Sequence, residues 1–394
     1  MSILKKITCK FLESVLRIVP IDNKMILFYS LGMYGDNPKY ISEKLHELYP
    51  DIIIFWEIKK GANLKDIPDY VRILMPNTFS YCYYLNRCCC IVDAGAGSLY
   101  NSKYEIVLKL RRFLFYNSKQ YHFSTWHGNP IKTIGADIPE HYFWNEKTFS
   151  PSSNTLIADS DYIKDIFNKA FLHKIPILNI GTPRNDILFN TSLTDKSSIK
   201  KKLGLPIDKK IILYAPTWRN SIEDSGIIQL REMDIEKLLN TLGSKFGGEW
   251  VFVMRLHAIV MREIINKGII STINDRIIDG NKYAEMAEYL FTTDVLLTDF
   301  SGSIYDVALT DKPCFLYAHD LEKYKKDRGF YTPLSFFPYS FANDFESLLS
   351  DIMNYDRESS ESKRQAFLKK IGSSNDGHAS ERCVAKILEI VNKK

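Results

Sequence analysis

Residues 25–56, MILFYSLGMYGDNPKYISEKLHELYPDIIIFW, run through a β-rich segment, an amphipathic segment and a second β-rich segment in succession. The outer runs, 25–30 and 51–56, are almost wholly apolar, as strands buried on both faces are. The stretch 38–48 between them alternates apolar and charged residues at a helical period. A helix connecting two such strands implies a parallel sheet covered by helices.

The alternation continues outward. A helix is expected over 78–87, a strand over 89–93, and strands over 155–158 and 177–180 with a helix at 162–170 between them. The polar stretch 190–202 then separates a second set. Its strands are KIILY (210–214), WVFVMR (250–255), VLLT (295–298) and CFLY (314–317), with helices over 234–242, 283–290 and 303–309. Two consecutive α/β halves predict two Rossmann-like domains facing a cleft, with ligand at the carboxyl ends of the strands. The expected division is an amphipathic segment at 1–20, an N-terminal domain at 21–190 and a C-terminal domain at 191–394, the last helix free to pack back on the N-terminal domain.

Composition narrows the function classes. The chain has 394 residues, a formal charge of +5, 45% hydrophobic and 25% charged residues, which excludes collagen-like and disordered proteins. The Lys and Arg residues are interspersed with acids, so there is no dense basic stripe for nucleic acid. Seven cysteines, three of them adjacent at Cys88, Cys89 and Cys90, form neither a disulfide framework nor a zinc-ligand spacing, and fit buried hydrophobes in a reducing cytosol. No metal or tightly bound cofactor is expected. The sequence has no G-x-G-x-x-G followed by an acid and no P-loop, which argues against dinucleotide oxidoreductases and P-loop NTPases.

No apolar run approaches the roughly 18 to 20 residues of a bilayer span. The first twenty residues place Leu4, Ile7, Phe11, Val15 and Ile18 on one side of a helix and Lys6, Lys10, Glu13 and Arg17 on the other. That pattern suits a helix lying on an anionic membrane surface, or one packed on its own domain.

Four motifs could carry chemistry. Trp126-His127-Gly128-Asn129-Pro130-Ile131-Lys132 follows a β-like run at 121–124 and sets an imidazole on a sharply bending backbone. A histidine titrates near 6.5, which suits proton removal at neutral pH, although a Gly-Pro turn also accommodates a purely structural one. Gly128, Asn129, Lys132 and Asp137 are the candidate substrate contacts around it. Arg255 and His257 end a strand of the second half on one side of the sheet, where they could face a polyanion together or be solvated. Leu297-Thr298-Asp299-Phe300-Ser301-Gly302-Ser303-Ile304-Tyr305-Asp306 runs from a buried strand through a turn into a helix start, offering hydroxyls and N–H groups to a diphosphate or simply capping the helix. Thr217 and Arg219 end another strand at the cleft edge, where they could contact phosphate or substrate.

Taken in order, these motifs resemble the CDP-glycerol glycerophosphotransferase family, the teichoic-acid primases and polymerases and their capsule relatives. The likeness runs from Gly35-Asp36-Asn37-Pro38-Lys39-Tyr40 through the His127 motif, Gly181-Thr182-Pro183-Arg184-Asn185-Asp186 and Tyr214-Ala215-Pro216-Thr217-Trp218-Arg219. It continues through Arg255-Leu256-His257, Thr298-Asp299-Phe300-Ser301, Asp320-Leu321-Glu322-Lys323-Tyr324 and Arg328-Gly329-Phe330-Tyr331 to Asp376-Gly377-His378-Ala379-Ser380-Glu381-Arg382. The resemblance implies a GT-B-type architecture at the cytoplasmic face of the cell membrane, attached peripherally. It implies transfer of glycerol phosphate or ribitol phosphate from a CDP-polyol to a lipid-linked saccharide or polyol-phosphate acceptor, with CMP leaving. It leaves homo-oligomerisation open. By position, His127 matches the general base, His257 the histidine that stabilises the donor phosphates, and Ser301 with its neighbours the loop that holds the donor diphosphate. The chain departs from the family's usual Tyr-Ser-Ser at Phe300-Ser301-Gly302, and Asn129 stands where Thr or Ser is frequent. The rival readings are a GT-B glycosyltransferase using a nucleotide sugar, which would release a nucleoside diphosphate, and a non-catalytic nucleotide- or lipid-binding protein.

Overall fold

The computed structural model describes residues 15–95, 119–139, 153–171, 174–189, 195–217, 219, 227–256, 276–281 and 285–392. Seven strands, β1 (Asp22–Tyr29), β2 (Ile53–Glu57), β3 (Arg72–Leu74), β4 (Cys88–Asp93), β5 (Tyr121–Ser124), β6 (Thr155–Ala158) and β7 (Ile177–Asn179), form one sheet in the order β3-β2-β1-β4-β5-β6-β7. Six more, β8 (Lys210–Tyr214), β9 (Trp250–Met254), β10 (Ile277–Asp279), β11 (Val295–Thr298), β12 (Cys314–Tyr317) and β13 (Ser340–Ala342), form a second in the order β10-β9-β8-β11-β12-β13. Every pairing in both sheets is parallel. Both orders run outward from a central first strand, reverse, and run out the other way, which is the doubly wound arrangement.

Strand alternation decides which residues meet which helices. On one face of the first sheet Ile26, Phe28, Ile54, Trp56 and Val92 share a core with Ile41 and Leu45 of the helix Asp36–Leu48. On the other, Met25, Leu27, Phe55 and Ile91 pack with Tyr81 and Cys82 of the helix Phe79–Arg87. The second sheet puts Ile212, Tyr214, Phe252 and Leu297 against the helices Ile235–Phe246 and Phe345–Met353. Its opposite face, with Leu213, Val253 and Leu296, joins a core that also holds Trp126, Ile131 and Phe167 of the first lobe. The last helix, Ala379–Asn392, returns to the first sheet, where Cys383, Val384 and Ile387 pack beside Ile26 and Cys90.

Three short strands, β3, β10 and β13, were not expected from the sequence. Each has three residues, too few for an alternation to register. The helix expected over 303–309 is a single turn, Ser303–Val307, and that expected over 283–290 is Met286–Thr292, its start falling partly outside the described residues. The polar stretch at 190–202 contains a helix, Lys196–Leu203, started by the Asp195 side chain and stopped by Gly204 in the left-handed conformation. Of the amphipathic segment at 1–20, residues 1–14 lie outside the described residues, and Leu16–Ile18 form a 3-10 turn. The six described cysteines are all free and buried.

Candidate active site

In a doubly wound sheet the crevice opens where the strand order reverses, because the chains leaving two neighbouring strands diverge there. The reversals fall between β1 and β4 in one sheet and between β8 and β11 in the other. A cavity of about 870 Å³ lies at both, lined by residues of the two lobes. His127, Gly128, Asn129 and Lys132 form part of the N-terminal wall. Thr217, Arg255, Ser301, Gly302 and Ser303 form part of the wall across from them.

The turn that carries His127 is strained and heavily tied. Trp126 has φ +55°, unusual for a bulky residue, and Gly128 has φ +139°, which favours glycine. The Asn37 amide donates to the Trp126 carbonyl at 3.3 Å, and the Thr125 N–H donates to the Asp93 carbonyl at 2.7 Å. Strain kept in place by such ties is a mark of a functional turn.

The His127 ring stacks on Trp126 at 4.6 Å, and Nδ1 lies 3.1 Å from the Ala94 carbonyl oxygen. A carbonyl can only accept, so Nδ1 carries the hydrogen, and the lone pair of the neutral ring is on Nε2. The side chain is open to the cavity, with protein packed around the rest of the ring. Burial lowers its pKa below the usual 6.5, and Arg184 and Lys132 push the same way against Asp36 and the Ala94 bond. The ring is therefore neutral at pH 7 with Nε2 available as a base.

On the opposite wall, Ser303 Oγ donates to Ser301 Oγ at 3.0 Å, and the Ser303 N–H points to the same oxygen at 3.3 Å. Gly302 has no positive φ, but a Cβ there would stand 2.6 Å from the Asn129 carbonyl oxygen. The glycine thus lets the serine loop touch the histidine loop. Arg255 donates to the Gly280 carbonyl at 3.0 Å and lies over the Tyr289 ring, and burial lowers its pKa.

Polar ties join the lobes around the cavity. Arg184 bonds Asp36 at 2.9 Å in its own lobe and Asp306 at 3.1 Å in the other. Lys39 bonds Glu288 at 3.1 Å, and Glu288 also takes Lys202 at 2.8 Å. The Asp36 N–H donates to Glu285 at 2.9 Å. On another side, residues 329–331 run antiparallel to 131–133, with the Tyr331 N–H on the Ile131 carbonyl at 3.1 Å.

The structure thus gathers His127, Gly128, Asn129, Lys132, Thr217, Arg255, Ser301, Gly302 and Ser303 at one cavity. Four expected contacts fall elsewhere. Arg219 is buried behind the wall between Asp299 at 2.7 Å and Asp320 at 2.9 Å, its guanidinium over the rings of Phe300 and Tyr324, which pack on each other. Asp299 also accepts from the Thr217 N–H at 2.8 Å, and Thr298 Oγ1 donates to the Ala215 carbonyl at 2.7 Å. These three support the loops of the C-terminal wall from behind. Asp137 lies outside the cavity and accepts from the Tyr331 hydroxyl at 3.0 Å. His257 lies outside the described residues. Arg184, Asp36, Lys39, Glu285, Glu288 and Asp306 were not singled out as site residues from the sequence. Asp36, Lys39 and Arg184 were signalled only by the resembling motifs at 35–40 and 181–186, Asp306 only as the end of the motif at 297–306, and Glu285 and Glu288 by nothing. Among the described residues, no group of three or more His, Cys, Asp or Glu side chains is arranged to hold a metal.

Two parallel sheets in doubly wound order, facing each other across this crevice, define a GT-B-like α/β protein. Its sequence matches the CDP-Glycerol:Poly(glycerophosphate) glycerophosphotransferase family over residues 11–389, and the chain belongs to that family. It is 29% identical over 381 residues to the teichoic acid poly(glycerol phosphate) polymerase of Staphylococcus epidermidis, covering 91% of this chain and 49% of that one. To the teichoic acid glycerol-phosphate transferase of Staphylococcus aureus it is 28% identical over 381 residues, covering 91% and 92%. The chain therefore spans about half the length of the first relative and nearly all of the second. A structure of the wall teichoic acid polymerase TagF soaked with CDPG superposes with a TM-score of 0.79 at 25% identity, over 99% of this chain and 96% of that one. The UDP complex of S. aureus MnaA, at 14% identity and a TM-score of 0.51 over 93% and 96%, shares the fold alone.

Proposed function

We propose that the protein transfers glycerol phosphate or ribitol phosphate from a CDP-polyol to a hydroxyl of a lipid-linked saccharide or polyol-phosphate acceptor, releasing CMP, in the synthesis of a teichoic-acid-type or capsule-type polymer. One observation carries this reading. A neutral imidazole, pinned through Nδ1 to the Ala94 carbonyl, shares a cavity with the hydroxyls of Ser301 and Ser303 and the Arg255 guanidinium. Family membership supplies the donor class.

In this reading the acceptor oxygen attacks the phosphorus that bears the polyol, and a new P–O bond forms. The P–O bond to the bridging oxygen breaks, and CMP leaves with its electron pair. His127 Nε2 takes the acceptor's proton. Charge grows on the departing phosphate, where Arg255, Ser301 and Ser303 meet it; His257 is assigned the same task by sequence position. Gly128, Asn129 and Lys132 line the acceptor side, and no resident metal is invoked.

No helix among the described residues is long and apolar enough to cross a membrane. The reading places the protein peripherally at the cytoplasmic face, held to anionic lipid by the segment 1–20.

The test is to incubate the purified protein with CDP-glycerol, CDP-ribitol and a panel of nucleotide sugars, together with a lipid-linked acceptor. CMP release with an acceptor heavier by one polyol phosphate is expected. Release of a nucleoside diphosphate from a nucleotide sugar, with no CMP, would overturn the reading in favour of a glycosyltransferase.

A further inference from the structure

Arg184 makes contacts that no role assigned so far uses. Nη1 donates to Asp36 Oδ1 at 2.9 Å and to the His127 carbonyl at 3.0 Å, and Nη2 donates to Asp306 Oδ2 at 3.1 Å. The other Asp306 oxygen accepts from the neighbouring Asn185 amide at 2.7 Å. Asp306 belongs to the single helical turn Ser303–Val307, which begins in the serine loop of the donor-side wall. The Arg184 N–H also donates to Asn37 Oδ1 at 3.1 Å, and the Asn37 amide holds the Trp126 carbonyl. A Cβ on Gly128 would stand 3.3 Å from Nη2, so the guanidinium packs on the turn itself. The planar fork thus touches the base's backbone, a carboxylate beside the base, and the helix behind the donor loop at once.

We infer that Arg184 is a positioning residue that couples the donor loop at 301–303 to His127, holding the base in its reactive place through Asp36 on one side and Asp306 on the other. This rests on His127 being the base. A displacement of the serine loop moves Asp306, and the guanidinium passes that displacement to the His127 carbonyl.

The charged groups acting on the His127 ring are Asp36, Arg184 and Lys132, and the Ala94 carbonyl bonds it. Arg184 opposes protonation of the ring and Asp36 favours it. Arg184→Gln removes the opposing charge and frees Asp36 from its ion pair, so the imidazole protonates more readily and the acid limb of the pH profile moves to higher pH. Asp306→Asn removes the ion pair to the other lobe and one of its two acceptor oxygens, and leaves the Arg184–Asp36 pair in place. Arg184→Lys keeps the charge but cannot span three acceptors.

The experiment measures CMP release from CDP-glycerol against pH for wild type, Arg184→Gln, Arg184→Lys, Asp306→Asn and the double variant Arg184→Gln/Asp306→Asn. The His127 titration is followed by NMR on histidine-labelled protein. A misplacement near 1 Å costs about 100-fold in rate, so each single variant should lose roughly 10- to 100-fold in kcat with little change in the donor KM. The two losses should be strongly non-additive. Of the single variants only Arg184→Gln should raise the His127 titration midpoint and move the acid limb upward. Should Arg184→Gln not fold, Arg184→Lys and Asp306→Asn carry the kinetic test. Losses confined to KM, full additivity, or an unmoved His127 titration in Arg184→Gln would overturn the coupling. The NMR titration needs no turnover, so a fully active His127→Ala enzyme would remove the base assignment separately.

Discussion

Gly302→Ser replaces the glycine of the donor loop with the residue that family resemblance leads one to expect there. The glycine has an ordinary backbone conformation, φ −57°, so its presence answers to space and not to dihedral strain. A Cβ built on it would lie 2.6 Å from the Asn129 carbonyl oxygen, a backbone atom that cannot rotate away. An ordinary non-bonded carbon contact is near 3.5 Å, so the two loops must part by roughly 1 Å. Asn129 is two residues from His127, and Gly302 adjoins both Ser301 and Ser303, so the parting falls directly between base and donor loop. A displacement of that size costs about 100-fold in rate when it separates reacting groups. Overpacking of this kind destabilises a fold by about 1–3 kcal/mol, so the protein should remain folded. The assay is CMP release from CDP-glycerol with saturating acceptor, alongside a urea melt. Wild-type kcat in Gly302→Ser would refute the reasoning, because it would mean that contact between the loops does not set the reactive distance.

His127→Ala should lower kcat by about 10²- to 10⁴-fold, the usual weight of a general base, while calorimetric donor affinity persists. In wild type the acid limb of kcat/KM should fall below the ordinary histidine value of 6.5, because burial favours the neutral ring, and activity should be lost as the pH drops through that limb. A limb above pH 7 would contradict this. Arg219→Ala leaves Asp299 and Asp320 without their shared cation, which at a buried site costs about 3–5 kcal/mol and should show as a lowered urea midpoint. An unchanged midpoint with a raised donor KM would return Arg219 to the donor site. Deleting residues 1–19 should reduce cosedimentation with anionic vesicles and leave that with neutral vesicles nearly unchanged; undiminished binding to anionic vesicles would dissociate the segment from the membrane.

The fold was legible wherever burial on both faces made a strand apolar throughout. Residues 155–158, 210–214, 295–298 and 314–317 are strands with the expected bounds. The site was legible at the ends of those strands, where doubly wound topology collects side chains. Arg219 shows where this stops. A strand-end position says that a residue is near the cleft, but not whether it faces the cavity or the layer behind it. That choice was made by Asp320, a hundred residues further along the chain. The same limit hid Arg184 and Asp306, whose roles exist only once the lobes meet. Of the four three-residue edge strands only β7, expected over 177–180, was legible; β3, β10 and β13 escaped because three residues establish no alternation.

The composition of the seam between the lobes bears on how the cleft works. Below the cavity the apolar core is continuous from Phe167 of one lobe to Leu296 of the other. Around the cavity the ties are polar: the ion pairs Arg184–Asp306 and Lys39–Glu288, and a hydrogen bond from the Asp36 N–H to Glu285. Burial pushes the Glu285 carboxyl above its usual range and works against the charge on Lys39, which Glu43, Glu285 and Glu288 restore. Buried ion pairs of this sort offset their Coulomb attraction with lost hydration, so they specify geometry while adding little net stability. Parting an apolar seam exposes surface at about 25 cal/mol per Å², with nothing returned. Parting an ionic one returns water to both charges. On the proposed function the cleft holds base and donor in register during transfer and then releases a nucleotide, and the second kind of seam serves that, with the apolar core keeping the lobes joined.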